Sequence, residues 1–244
     1  MKAVLVVLTN PGSADADAAY NDWYTNVHVP DVLEVPGYVS AIRYKAFPSW
    51  QPIPQQYLTI YDLEVSDAAH VQRISDEHMR RIGAGEMRRS PDGAMDRDTM
   101  RAMYYLERSP RQTSKLQQAD VPNGVFLAYA APATAERAAE LDHWYDTQHL
   151  PDVLDLPGFT AAQRYTTTGI NMVGQRWVSD NPLLTVYEHM HTDQDAYGAA
   201  FGKIRERIAA GTVKMTDAIA PNSLMTVYHR ISDPAFGVRG GTSA

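Results

Sequence analysis

A segment of 22 residues occurs twice in the chain. Residues 23–44 read WYTNVHVPDVLEVPGYVSAIRY, and residues 144–165 read WYDTQHLPDVLDLPGFTAAQRY. With a shift of 121 positions the two copies are identical at 12 of 22 positions, and weaker similarity continues on both sides. Self-similarity at a fixed long period is the signature of a repeated structural unit. The sequence therefore predicts a tandem duplication.

The repeat divides the 244 residues into two units with connecting segments. We expect a first unit at 1–108, a polar linker at 109–122, a second unit at 123–233 and a C-terminal tail at 234–244. In each unit the hydrophobic pattern predicts the order strand, helix, two strands, helix, strand. The first helix of each unit is expected at 14–28 and 134–149, with Pro30 and Pro151 ending these helices.

This order is that of the ferredoxin-like βαββαβ unit, an α+β fold. Its helices cover only one face of the four-stranded sheet, so the other face needs a partner. Two linked copies can supply that partner by packing sheet against sheet within one chain. The predicted architecture is therefore two fused ferredoxin-like units that enclose a cavity around their sheets.

Composition excludes several classes of function. The net charge of −7 and the pI near 5.6 argue against nucleic acid as a partner, because phosphate binding depends on clustered Lys and Arg. With no cysteine the chain has no disulfide, thiolate nucleophile or cysteine-ligated metal. No apolar run has the length of a membrane span. We expect a cytoplasmic protein that binds neither membranes nor nucleic acids.

The repeated helix carries the residues best suited to proton transfer. Tyr24 and His28 are four residues apart, so they share one helix face. Histidine exchanges protons near neutral pH, which makes it a candidate general base, while an aspartate three residues later is placed to hold one ring nitrogen. The alternative is a helix-end histidine that pairs with this aspartate or with the last carbonyls. The candidate catalytic residues in the two copies are His28, His149, Tyr24, Tyr145, Asp31 and Asp152.

The strand that follows adds candidate substrate-binding residues. Neighbours on a strand point to opposite faces, so only one of Arg43 and Tyr44 can share a space with His28. Arg43 would clamp an anion, and Tyr44 would orient a carbonyl or phenol; a sheet-edge salt bridge is the structural alternative for the arginine. The tryptophans have helix packing as their alternative role. The candidate substrate-binding residues are Trp23, Trp144, Arg43, Tyr44, Arg164 and Tyr165.

Other features give little support for a metal or cofactor. His189 and His191 share one face of a predicted strand, but no further residue at metal-ligand spacing joins them. No glycine-rich phosphate-binding or nucleophile-elbow pattern is present, so we expect no cofactor and no metal. His70 and His78 are expected at the surface of the second helix. Loops at 84–99 and 166–182 are long and polar, and their neighbourhood supplies the candidate entrance residues Trp50, Met172 and Trp177.

The pattern W-Y-x-x-x-H-x-P-D-V-L-x-x-P-G-x-x-x-A-x-R-Y resembles the dimeric α/β-barrel superfamily, particularly its EthD-like branch, here as a tandem fusion covering nearly the whole chain. Similar folds serve polyketide monooxygenases without cofactors, polyketide cyclases, muconolactone-type isomerases and haem peroxidases. The resemblance implies a cavity for a small hydrophobic molecule, often aromatic or polycyclic. It also implies a helix-borne histidine assisted by tyrosine, roles that fall on His28 and His149 with Tyr24 and Tyr145.

The sequence thus favours a lyase, isomerase or cyclase that works without a cofactor and uses such a histidine as general base on a hydrophobic carbonyl or phenolic substrate. The alternatives are a cofactor-independent monooxygenase, a small-molecule binding protein without catalysis, and a haem enzyme. Near the motif the halves differ, as at Thr25 and Asp146. The sequence leaves open which half is active and whether two chains form a homodimer.

Overall fold

A computed structural model describes residues 1–173 and 180–237. A wide π turn at Tyr24–His28 joins the first two helices, and a 3-10 turn at Pro48–Trp50 follows the second strand. The elements of the first half are β1 (Lys2–Pro11), α1 (Asp17–Trp23), α2 (Val29–Leu33), β2 (Tyr38–Ala46), β3 (Tyr57–Glu64), α3 (Ala68–Ala84) and β4 (Met95–Glu107).

The second half repeats this order. A 3-10 turn at Ala135–Arg137 precedes its first helix, and a π turn at Tyr145–His149 again joins two helices. Its elements are β5 (Gln112–Thr113), β6 (Gly124–Ala130), α4 (Ala138–Trp144), α5 (Leu150–Leu154), β7 (Phe159–Asn171), β8 (Leu183–His189), α6 (Gln194–Ala209), β9 (Leu224–Arg230) and β10 (Ala235–Phe236).

All eight long strands form one closed antiparallel sheet. The strand order is β2-β3-β1-β4 in the first half and β7-β8-β6-β9 in the second. β4 pairs with β7 and β2 pairs with β9, which closes the sheet into a barrel. Closure leaves these strands without a free edge. The short β5, within the expected linker, pairs with β7, and β10 pairs with β2.

The strands separate two kinds of core because their side chains alternate between the inside and the outside of the barrel. The inside contains an apolar cluster to which all eight long strands contribute, without a helix residue. Two further clusters pack the helices of each half against the outside. Among the described residues no helix is long and apolar enough to cross a membrane.

Each half covers the helix layer of the other. Phe47 and Trp50, which follow β2 of the first half, pack in the outer core of the second half. Met172 and Val173, which follow β7 of the second half, pack in the outer core of the first. The described residues that follow the second strand of one half thus pack between the sheet and the helices of the other.

The prolines do not end the first helices as the sequence predicted. Pro30 lies in the first turn of α2, and Pro151 occupies the same place in α5. Each proline lies two residues after the end of a π turn. Proline is tolerated in a first turn, where its missing N–H has no helical partner to lose. The widened turn lets the helix begin again with proline in that position.

Candidate functional site

The π turn fixes the orientation of His28. The backbone N–H of Val29 donates to the carbonyl of Tyr24, five residues earlier. This wide turn places Trp23 and His28, which would face different directions in an α-helix, on the same face. Their rings stack with centroids 4.9 Å apart and planes 25° apart. The ring of Tyr24 meets the imidazole edge-on at 4.8 Å.

His28 borders a cavity of about 430 Å³ between the first-half sheet and its helices. Cavities of this size are typical of small-molecule sites. Methionines form much of the wall, and their flexible side chains adapt to irregular apolar ligands. The polar residues at the cavity include His28, His78, Tyr24, Tyr61 and Arg88, and the apolar ones include Leu5, Val7, Val32, Ile82, Met79, Met87, Met95, Met100 and Met172.

His28 is neutral at physiological pH. Burial lowers its pKa to about 4, the nearby Arg43 lowers this pKa further, and Asp31 opposes the shift. Within residues 1–173 and 180–237, neither ring nitrogen of His28 makes a hydrogen bond. The side chain is half-buried and lines the cavity. The imidazole can therefore accept a proton from a molecule in the cavity.

Arg43 lies beneath this site and does not line the cavity. It is 1% exposed, and its guanidinium carbon is 4.5 Å from the centre of the Tyr24 ring. Nη1 donates to Oγ1 of Thr25 at 2.6 Å, and Nη2 donates to Oδ1 of Asn21 at 2.9 Å. Both partners are neutral, and no described carboxylate forms an ion pair with Arg43. A buried positive charge therefore stands beside the cavity.

Asp31 pairs with Arg88 and not with His28. The carboxylate accepts from the backbone N–H of Arg88 at 2.8 Å and from its guanidinium. Although burial acts to raise the pKa of Asp31, the bonds to Arg88 bring it below the ordinary value. Because Arg88, Arg89 and Ser90 line the cavity, this ion pair holds the loop after α3 against the entrance.

His78 is a second histidine of the cavity, and its predicted place at the surface was wrong. It is 3% exposed, and Nδ1 is 2.9 Å from the hydroxyl of Tyr38. That hydroxyl is 2.7 Å from the hydroxyl of Tyr104. Burial lowers the pKa of His78 to about 3, so the ring is neutral. Its spacing from Val71 and Ile74, on the buried face of α3, is the sequence signal for its position.

The second half has the same π turn but different surroundings. His149 stacks on Trp144 at 4.4 Å, and burial lowers its pKa to about 4. Its Nδ1 is buried without a hydrogen-bond partner among the described residues. The indole N–H of Trp144 donates to the carbonyl of Lys214 at 2.8 Å, whereas the corresponding N–H of Trp23 has no partner there.

In the second half, aromatic side chains occupy positions that correspond to the lining of the His28 cavity. Phe126 takes the strand position of Leu5, since each pairs with the equivalent tyrosine of its neighbouring strand. Phe126 stacks on Tyr187 at 5.0 Å. The capping residues Asp67 and Asp193 align α3 with α6, so Phe201 replaces Ser75 and Ile204 replaces His78.

Trp50 completes this packing from the other half. Its ring lies 5.1 Å from Tyr197 and 5.2 Å from Phe201, both on α6. Trp50 thus belongs to the second-half core. Of the other two expected entrance residues, Met172 lines the cavity of His28, and Trp177 lies outside the described residues.

The electrostatics of the halves also differ. Arg164, 1% exposed, donates to the carboxylates of Asp142 at 2.6 Å and Asp146 at 3.0 Å. Its charge is therefore compensated, unlike that of Arg43. Burial raises the pKa of Asp152, the counterpart of Asp31, and this residue makes no ion pair with the described part of the chain.

Tyr44 and Tyr165 lie inside the barrel, on the opposite side of the sheet from the histidines. The structure does not bring them to His28 or His149. Trp23 and Tyr24 line the cavity of His28, whereas Trp144 and Tyr145 pack in the second-half core. No three potential metal ligands among His, Asp and Glu converge anywhere in the described ranges.

The closed antiparallel barrel with helices outside it has the fold of dimeric α/β-barrel proteins, and the cavity of His28 has the size of a small-molecule site. The fold is similar to that of an anthrone oxidase-like protein, with a TM-score of 0.57 and 12% identity over 100% of this chain and 96% of the other. No protein-family model matches the sequence. No curated protein matches it either.

Two further structural similarities are weaker. An arginine-to-lysine variant of chlorite dismutase from Candidatus Nitrospira defluvii aligns with a TM-score of 0.49 and 11% identity, over 93% of this chain and 90% of that one. A proposed monooxygenase from Fusobacterium nucleatum subsp. nucleatum aligns with a TM-score of 0.48 and 10% identity, over 97% and 96% of the two chains. At these values the alignments carry no functional argument.

Proposed function

We propose that the cavity of the first half is an active site in which His28 removes a proton from a small apolar carbonyl or phenolic compound. The observation that carries this proposal is the neutral imidazole without a hydrogen-bond partner, facing a cavity with methionine-rich walls. A positioned general base contributes on the order of 10²–10⁴ in rate. The class of reaction is proton transfer without a cofactor.

In this reaction the proton moves from a substrate carbon or oxygen to the imidazole, and the electron pair stays on the substrate as an enolate or phenolate. The low basicity of the buried His28 imidazole, taken alone, disfavours this step. Within an apolar cavity, however, the imidazolium and the anion attract each other strongly because screening is weak. The positive charge of Arg43 adds to the stabilisation of the anion.

Donors at the cavity are placed to bind the developing oxyanion. The hydroxyls of Tyr61 and Tyr24 are neighbours, and both side chains line the cavity. His78 contacts Tyr38 through Nδ1, which leaves Nε2 as the ring nitrogen free to face the cavity. Fixed donors aimed at developing charge are a major source of catalysis. We assign His28 as base and these groups as oxyanion donors.

The fate of the anion determines the reaction. Return of the proton at another carbon is isomerisation, loss of a leaving group is elimination, and attack on a second carbonyl is cyclisation. All three balance without an external oxidant or reductant. We therefore propose a lyase, isomerase or cyclase that acts without a cofactor.

We further propose that the chain is a tandem fusion of two EthD-like units, at 1–108 and 123–233, of which only the first is catalytic. Phe126, Phe201 and Trp50 fill the second half, and Asp142 and Asp146 compensate the charge of Arg164. The second half also supplies Met172 to the wall of the first cavity. The chain would then keep its second half because both halves form the barrel and because the second half supplies Met172 to the first cavity.

A second candidate function is cofactor-independent oxygenation. It shares the deprotonation step, after which the substrate anion is oxidised by dioxygen. This candidate is motivated by the name of one protein of similar fold, an anthrone oxidase-like protein. Dioxygen consumption separates it from isomerisation, elimination and cyclisation.

Anthrone is a suitable probe because it is an apolar tricyclic ketone with an acidic methylene group. Under nitrogen in D2O, we expect the protein to accelerate exchange of the methylene protons, measured by NMR. Replacing both histidines, His28→Gln and His149→Gln, preserves shape and removes the bases. We expect this double variant to lose roughly 10²–10⁴ of the acceleration.

The outcomes are distinct. Acceleration without oxygen uptake in air supports the lyase, isomerase or cyclase, and stoichiometric oxygen uptake supports the oxygenase. Binding of anthrone without any acceleration of exchange would instead indicate a binding protein. Equal acceleration by the wild type and the folded double variant would refute the histidine mechanism.

A further inference from the structure

A second cavity, of about 400 Å³, opens at one end of the barrel, inside the ring of strands. It is separate from the cavity of His28, which lies outside the sheet. Its deeper wall is apolar and comes from inward-facing residues of both halves. These apolar residues include Val4, Ile42, Ile60, Val125 and Val186.

Two tyrosines, one from each repeat, project into this cavity. Tyr44 is 3% exposed and Tyr165 is 7% exposed, and both line the cavity. Neither hydroxyl makes a hydrogen bond with any described residue, although buried phenol groups usually have a partner. Both lie at seams between the halves, since Tyr44 pairs with Arg230 on β9 and Tyr165 with Glu107 on β4.

Two carboxylates stand above the tyrosines, also one from each half. Asp62 follows Ile60 by two residues on β3, and Glu188 follows Val186 by two on β8, so both point to the inside of the barrel. Burial raises the pKa of Tyr44, and the charges of Glu188 and Asp62 raise this pKa further. The same two carboxylates act on Tyr165. All four groups are therefore neighbours across the barrel.

The charge at this end of the barrel is negative. Asp62 lines the cavity and accepts a hydrogen bond from Ser40 at 2.5 Å, but it has no ion pair among the described residues, and burial raises its pKa. Glu188 pairs with Arg111 at 2.6 Å. The charged residues lining the cavity are four carboxylates, Asp62, Glu64, Asp120 and Glu188, and two cations, Lys2 and Arg111.

We infer that this end of the barrel binds a small organic cation, namely a protonated amine on an apolar or aromatic body. An ammonium group has three donors, and the two phenol oxygens with the carboxylate of Asp62 supply three acceptors. The apolar wall below receives the body of the ligand. This inference gives a role to the tyrosine that follows the arginine in both repeats, which the site of His28 does not use.

Benzylamine is the probe, and benzyl alcohol and benzoate are its neutral and anionic comparators, with binding followed by titration calorimetry. We expect benzylamine to bind most tightly and benzoate not to bind. Asp62→Asn should weaken benzylamine binding about tenfold, the loss of one charged contact. Tyr44→Phe with Tyr165→Phe should weaken it severalfold, with thermal unfolding as the check that both variants fold.

Two control variants should not weaken benzylamine binding. Arg111→Ala frees Glu188 and should strengthen benzylamine binding, whereas His28→Gln should leave it unchanged because that residue lines the other cavity. The inference is overturned if benzylamine fails to bind at millimolar concentration, binds no better than benzoate, or binds folded Asp62→Asn as it binds the wild type. Loss of binding in His28→Gln would also overturn it by locating the amine elsewhere.

Discussion

The indole of Trp23 stacks on the imidazole of His28, five residues later, at a centroid distance of 4.9 Å. The wide turn between them makes this contact possible, and the same turn and contact recur between Trp144 and His149. His28 and His149 share this turn and this stacking contact, but their surroundings differ, because His28 lines a cavity and His149 also contacts the ring of Tyr187.

Filling the first cavity with the residue of the second half should block it. Leu5 lines the cavity of His28, and Phe126 occupies the equivalent position. We expect Leu5→Phe to raise KM for anthrone at least tenfold, about 1.4 kcal/mol, because the larger ring takes ligand space. The matched control Phe126→Leu should leave KM unchanged. Equal KM values in Leu5→Phe and the wild type would contradict the assignment of the cavity.

Replacing either buried arginine should lower the stability, but only the replacement of Arg43 should lower the catalytic rate. We expect Arg43→Met and Arg164→Met each to lower the free energy of unfolding by roughly 3 kcal/mol, since both break buried hydrogen-bonded networks. Urea unfolding measures this loss. At equal folded fraction, only Arg43→Met should lower kcat, because Arg43 stabilises the substrate anion. Arg43→Lys keeps the charge and should retain part of kcat.

Removing the ion pair between Asp31 and Arg88 should loosen the loop at the cavity entrance. Arg88 is largely exposed, so we expect Arg88→Ala to lower the stability only slightly. It should raise KM roughly fivefold, which corresponds to about 1 kcal/mol of binding. Arg137→Ala removes the ion pairs with Glu140 and Asp217 in the second half, outside the cavity lining, and should change neither KM nor kcat. A KM unchanged by Arg88→Ala would exclude a role for this ion pair in the site.

Acid should destabilise the protein through its buried histidines. Burial lowers the pKa of His78 to about 3, against an ordinary value of about 6.5 in the unfolded chain. The unfolded state therefore binds more protons below pH 6.5, so stability falls as pH falls from 6.5 towards 3. Between pH 7 and pH 5 this residue should account for about 2 kcal/mol.

The second half provides the variant for this test, since Ile204 occupies the position of His78. In His78→Ile, the loss of unfolding free energy between pH 7 and pH 5 should be smaller than in the wild type by this amount. Urea unfolding at both pH values measures it. An identical pH dependence in the two proteins would show that His78 is not held neutral by burial.

Several features of the fold could be predicted from the sequence because they depend on repetition and periodicity. The second copy of the segment at 144–165 indicated a second unit, and the alternating pattern gave the strands their order. The strand pattern also required Arg43 and Tyr44 to face opposite sides, but it could not assign the sides. Packing decides that, and it places the arginine against the helix.

Other features depend on contacts between distant residues, which periodicity does not encode. The partner of Asp31 is 57 residues away, and Trp50 packs against helix α6 of the other half. The π turn needs a backbone hydrogen bond that no residue type specifies. The prediction of a surface position for His78 was wrong because polar residues are mostly exposed, although the spacing of His78 from Val71 and Ile74 is that of a buried face.

The most direct test compares the two histidines singly. Exchange of the anthrone methylene protons in D2O under nitrogen should fall by roughly 10²–10⁴ in His28→Gln. In His149→Gln it should stay within about twofold of the wild type, because that imidazole packs between the rings of Trp144 and Tyr187. An equal loss in both variants, or a loss in His149→Gln alone, would contradict the assignment of catalysis to the first half.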